Sequence, residues 1–252
     1  MRQPWLDTLL RWTGQDRSVP TVEALLAAMD AGGIDRALLA GWHGPAGPLI
    51  SNDEVAGLVA RYPDRFAGVA AVDLTRPMDA VREVRRRAGE GFVGVRVVPW
   101  LWDLAPNHRR YAPVYVACVE TGLPFCTQIG HTGPLCPSEP GRPIPYLDEV
   151  LLDFPDLVVV GGHVGYPWID EVLSLAMKYP NFHVDTSAYA VHRLPSGLVD
   201  YLRGPGRTRV LFGTNWPMLS PKRALAELDA LGLDDEARAL FLGGNAERVF
   251  GL

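Results

Sequence analysis

Seven apolar runs recur along this chain, starting near residues 34, 66, 92, 124, 157, 181 and 209. Their spacing of roughly 30 residues is the size of one strand–helix unit. The segments between them carry helical spacing and helix-start signals. Thr21 opens TVEALLAAMDA, which Gly32 and Gly33 end, and Ser51 with Glu54 forms a capping box for SNDEVAGLVARY. Alternation of this kind predicts a parallel sheet with its helices outside. A chain of 252 residues suits one domain of about 250 residues, so the expected fold is α/β, a TIM-type (β/α)8 barrel. An eighth strand is missing: nothing before Ile34 reads as a buried strand. The barrel is therefore expected to lack or replace its first strand, and an open doubly wound sheet is the alternative. The single domain would span residues 1–252, with an N-terminal helical segment over 1–33 and closing helices over 220–252. Residues 4–12 have the spacing of a short amphipathic helix, with Trp5, Leu9 and Trp12 on one face. That segment or a neighbouring subunit is expected to fill the gap, because unpaired strand edges are costly to expose. A homodimer is the expected assembly.

Bulk chemistry removes several functions. A net charge of −5 gives no basic footprint for nucleic acid. No apolar run reaches the roughly 20 residues of a membrane span. MRQPWLDTLLRW carries charges where a signal peptide needs an apolar stretch. Cys118, Cys126 and Cys136 are odd in number and lack zinc-ribbon spacing, so they read as reduced structural thiols in a cytoplasmic protein. Arg82, Arg85, Arg86 and Arg87 read as a solvated helix face.

Candidate chemistry gathers where strands end. In LVVVGGHVGYPW, residues 157–168, a buried strand stops at two glycines and presents His163. A polar residue at the carboxyl end of a barrel strand faces the mouth. His163 could move protons if its pKa lies near working pH. Asp185, in NFHVDTSAY, could orient that histidine or take the proton. Arg96 stands among valines in GFVGVRVVPW; inside a barrel it must meet a carboxylate, from the protein or from a substrate. Trp42, Trp100, Trp102 and Trp216 follow strand ends and suggest a flat or aromatic ligand. His43 and His108 lie in rim loops and read as exposed and idle. The Pro/Gly-rich loop from His131 to Pro145 is long enough to be a binding segment.

The series GGHVGYPW, NFHVDTSAY, RVLFGTNWP and NAERVFGL resembles the amidohydrolase superfamily, in the branch of the aminocarboxymuconate semialdehyde decarboxylases and related metal-dependent hydrolases. MDAGGIDRALL and GFVGVRVVPW fit the same pattern, so the resemblance runs from about Thr21 to Leu252. It implies a distorted barrel holding one divalent metal, zinc for example. The ligands would be a His-x-His pair on the first strand, a histidine on the fifth and an aspartate on the eighth. A sixth-strand histidine would act on bound water or substrate; that position is His163. The eighth-strand position is Asn215, not aspartate. The fifth-strand ligand falls on Gln128 by counting from Leu123-Pro124, or on His131 by matching the local HTG. The first-strand pair has no counterpart.

An asparagine carbonyl can orient a water or substrate but cannot act as a base. The departures leave three readings. The first is a superfamily enzyme that hydrolyses or decarboxylates a small carboxylated or aromatic metabolite. His163, Asp185 and Asn215 would be catalytic, Arg96, Trp42, Trp100, Gln128 and Trp216 would bind substrate, and His131 and His163 would hold the metal. The second is a metal-independent lyase, isomerase or cyclase using His163 and Asp185. The third is a ligand-binding barrel without catalysis.

Overall fold

The computed structural model describes residues 20–252, so the expected helix over residues 4–12 lies outside the described residues. Its main sheet holds seven parallel strands: β1 (Ala37–Ala40), β4 (Phe66–Ala71), β5 (Gly94–Val97), β6 (Phe125–Gln128), β7 (Val159–Gly162), β8 (Phe182–Asp185) and β9 (Val210–Leu211). Each begins within three residues of its expected start. β2 (Trp42–Gly44) and β3 (Gly47–Ile50) form a separate antiparallel hairpin that the sequence reading did not contain.

The strand order is sequential, β1-β4-β5-β6-β7-β8-β9. A doubly wound sheet reverses its order at a switch point. None occurs here, which removes the alternative fold. The sheet must also curl. Leu38 on one edge strand and Leu211 on the other pack into one apolar cluster with Val160, Cys126 and Phe250. Among the described residues, β1 and β9 end the sheet and do not pair with each other. The result is an incomplete TIM-type barrel.

Side-chain alternation sorts the two faces. Val95, Val97, Phe125, Val159, Phe182 and Val184 point outward into the main core, against helices such as Ala112–Thr121 and Ile169–Lys178. Leu38, Cys126, Val160 and Leu211 point inward. The floor of the interior is laid by the helix Asn245–Phe250, whose Phe250 ring meets Gly94, where an added Cβ would come within 3.2 Å of it. Caps expected from the sequence are present. Thr21 Oγ1 accepts from Ala24 N–H at 3.2 Å, and the Ser51–Glu54 capping box is complete.

Arg87 departs from its expected solvated face. It is 3 % exposed, ion-paired to Glu83 and Glu90 at 2.8 Å each and to Asp53, with its guanidinium over the Phe92 ring. Four arginines within six residues hide this on the sequence, because helical geometry turns one of them inward. Glu83 in turn accepts from Asn52 Nδ2 at 2.8 Å, and Asn52 brackets the Ala71 backbone with bonds of 2.8 Å in each direction. The network ties two outer helices to the end of β4.

His183 is buried in the interior row below the mouth, with Nδ1 making no hydrogen bond among the described residues. Burial, and then the charges of Arg248 and Arg209, push its pKa down to about 4. The folded state thus holds a neutral imidazole, while the unfolded chain takes up a proton near its ordinary pKa of about 6.5. Stability from this group is complete above that value and drains away as pH falls toward 4, by roughly 3 kcal/mol in all. Urea titrations across pH 4 to 7 should show that slope, and H183Q should flatten it. Phe250→Ala should cost about 3–5 kcal/mol by the same assay, since it empties the floor of the barrel.

Candidate active site

The interior face carries the charged row. Arg96 pairs in register with Ala71 on β4 and Cys126 on β6, and Cys126 pairs with Val160 on β7. Paired residues of a parallel ladder share a face, so the guanidinium points into the barrel. It is half-buried and makes no hydrogen bond or ion pair with any described residue. Burial lowers its pKa, while Cys126 and Asp185 pull the other way. Asp185 ends β8, in register with Gly162. Its Oδ1 accepts from Ser187 N–H and its Oδ2 from Ser187 Oγ–H, both at 2.8 Å. Burial raises its pKa against the pull of those two donors and Arg96. The carboxyl has room only because residues 162 and 213 are glycines. A Cβ at Gly213 would overlap Asp185 Oδ1, and one at Gly162 would lie 3.3 Å from Oδ2.

His163 follows β7 in the left-handed region, φ 72°, and Val164 is there too at 64°. A β-branched residue in that region is strained. Val164 is held by burial in the main core and by its N–H donating to the Asp185 carbonyl at 3.3 Å. The expected pKa of His163 near working pH does not hold. Burial, then Arg96 and His131, push it down to about 3, so the ring is a neutral imidazole at ordinary pH. His131 meets Tyr166 edge-to-face, and its N–H donates to the Tyr166 carbonyl at 2.6 Å, which ties the long loop to the turn after β7.

Gln128 is buried at the end of β6. Its Oε1 accepts from Trp100 Nε1–H at 2.7 Å and its Nε2 donates to the His131 carbonyl at 3.3 Å. Trp100 meets Trp42 edge-to-face at 6.2 Å. These three therefore form one wall. Asn215 sits past β9 at φ 59°, with Nδ2 directed at Met218 Sδ, 3.9 Å away; Trp216 beside it is half-buried. Trp102 does not join the rim. It is buried and stacked on His43, which is itself half-buried with Nδ1 unbonded, not exposed as expected. His108 is half-buried as well, its Nδ1 accepting from Arg110 N–H at 3.3 Å. The sequence reading missed Cys126 as a lining residue, although its alternation with Gln128 signals it. Burial and Asp185 push that thiol up to about 12, so it is inert.

A family model described as Amidohydrolase matches residues 4–252. The chain belongs to the amidohydrolase family. Gamma-resorcylate decarboxylase of Rhizobium radiobacter is 26 % identical to it, covering 94 % of this chain and 89 % of the relative. The Rhodococcus jostii protein of the same name is 26 % identical, covering 80 % and 75 %. An uncharacterised TIM-barrel protein from Bordetella bronchiseptica superposes with a TM-score of 0.86 at 27 % identity, covering 97 % and 90 %. A dihydroxybenzoic acid decarboxylase from Polaromonas, solved with manganese and the inhibitor 2-nitroresorcinol, gives 0.74 at 22 % identity, covering 98 % and 93 %. This last likeness speaks to the fold. Like its relatives, this amidohydrolase-family chain is an enzyme.

The ion in the Polaromonas structure is manganese, so zinc finds no support there. The described residues of this chain do not fit a divalent ion well. Among the described residues, no three His, Cys, Asp or Glu side chains come together as a metal needs. Gln128 and Asn215 offer neutral amide oxygens beside the Asp185 carboxylate, and Gln128 is turned toward the Trp100 indole. Gly213→Ala should push the Asp185 carboxyl out of place, lower stability by about 1–3 kcal/mol in a thermal melt, and remove activity.

Proposed function

We propose that this amidohydrolase is a carboxy-lyase that removes CO2 from a small aromatic carboxylic acid. One observation carries the reading: an interior guanidinium with no hydrogen-bond or ion-pair partner among the described residues points into the barrel beside a carboxyl whose pKa is raised. A half-buried arginine left without a partner is stabilised by an incoming carboxylate, which can accept two parallel N–H bonds. Curated relatives named gamma-resorcylate decarboxylases support the same bond cleavage.

In this reading the substrate carboxylate rests on Arg96 and its ring lies against the wall of Trp42, Trp100 and Gln128. Asp185, its pKa raised by burial, supplies in its acid form the proton taken up by the ring carbon that bears the carboxylate. The carbon–carbon bond then breaks, its electron pair returns to the ring, and CO2 leaves. Asp185 recovers a proton from water. His163, a neutral imidazole, accepts or donates a hydrogen bond to a ring hydroxyl and carries no net charge into the site. Asn215 and Trp216 close the far side. Cytoplasmic placement and a homodimer covering the open edges belong to this proposal; in the structure itself, no described helix is long and apolar enough to cross a membrane.

The test is CO2 release from a panel of hydroxybenzoates, with manganese supplied and withheld. D185N should lower kcat by about 10²–10⁴, the usual worth of a positioned acid. No release from any member, or full rate in D185N, would remove the reading.

A further inference from the structure

The mouth of this barrel holds a fixed cation and few free metal donors, and the two facts belong together. Arg96 presents five N–H groups, none bonded to a described residue. It lies within electrostatic reach of both Asp185 and His163, so its charge covers the space where strand-end donors converge. The amides at 128 and 215 are neutral, and Gln128 is already held by Trp100 and His131. Whatever precedes β1, these interior residues are unchanged: a divalent ion placed among them would sit against a permanent positive charge, with Asp185 as the nearby carboxylate and Ser187 on both its oxygens.

We propose that this enzyme binds its aryl carboxylate substrate directly on Arg96 and works without a divalent metal ion, the guanidinium supplying the positive charge. This rests on the carboxy-lyase reading for the identity of the substrate, but it makes a separate demand: binding, and not only turnover, must be independent of metal. Arginine suits the task because its planar fork matches a carboxylate and stays charged when buried. An arginine kept for this purpose is a burden on the empty protein, since no hydrogen bond or ion pair from a described residue offsets its desolvation.

The experiment is calorimetric titration of the full-length protein with 2,6-dihydroxybenzoate and with benzoate, in EDTA and in manganese. Affinity in EDTA should lie within twofold of that in manganese for the acid that binds more tightly. R96Q should weaken it by roughly 10- to 100-fold, the span of a charged hydrogen-bonded pair, and R96K by less. The melting temperature of R96Q should equal or exceed that of the parent, whereas a structural arginine would lower it. R96K keeps the charge and serves if R96Q fails to fold. Binding that appears only with manganese, an unchanged affinity in R96Q, or no binding of either acid in EDTA would each overturn the proposal. Metal-free binding through Arg96 without CO2 release would sink the carboxy-lyase reading and leave the metal-free binding of an aryl carboxylate on Arg96 standing. Manganese-dependent release would do the reverse.

Discussion

Two-residue alternation along parallel strands decides where each charge in this molecule goes. Partners in register share a face, and the sheet curls so that one face becomes an enclosed interior. Valines at 95 and 97 point to the helices, which leaves Arg96 between them no direction but inward. One strand further on, Cys126 and Gln128 follow the same rule. Phe250, Val160, Leu38 and Leu211 form the apolar part of the same interior.

Backbone strain collects just past the strand ends. His163, Val164 and Gly165 are left-handed in succession, and Asn215 adopts the same region after β9. Asparagine tolerates it, and valine does so only under constraint. The constraint is visible: Val164 is fully buried, and the Asp185 carbonyl receives its N–H. The imidazole is therefore placed by packing and not by side-chain hydrogen bonds. Surroundings that over-determine a strained turn are typical of functional sites.

Much of this was legible beforehand, for identifiable reasons. Apolar runs recurring about every 30 residues located the seven strands of the main sheet, and capping residues located the helix starts at Thr21 and Ser51. Alternation among valines pointed Arg96 into the barrel, and Asp185 and His163, placed where strands end, lie within its electrostatic reach. What escaped depends on contacts that have no local signature. The β2–β3 hairpin has no alternating pattern of its own. Arg87 is buried because Asp53, Glu83 and Glu90 surround it, and only the last two are near it in sequence. The neutral state of His163 reflects burial and a cation on another strand, neither of which its flanking residues disclose.

The barrel floor has a consequence for how the chain reaches its native state. Leu38 and Phe250, near opposite ends of the described chain, meet in one cluster. Closing so long a loop has an entropic cost that grows with separation, and topologies rich in such distant pairings fold slowly. The curled sheet can assemble strand by strand from neighbouring units, but its lower end stays wet until the last helix docks. Docking of that helix is what brings Phe250 onto Leu38 and so joins distant parts of the chain in one interior.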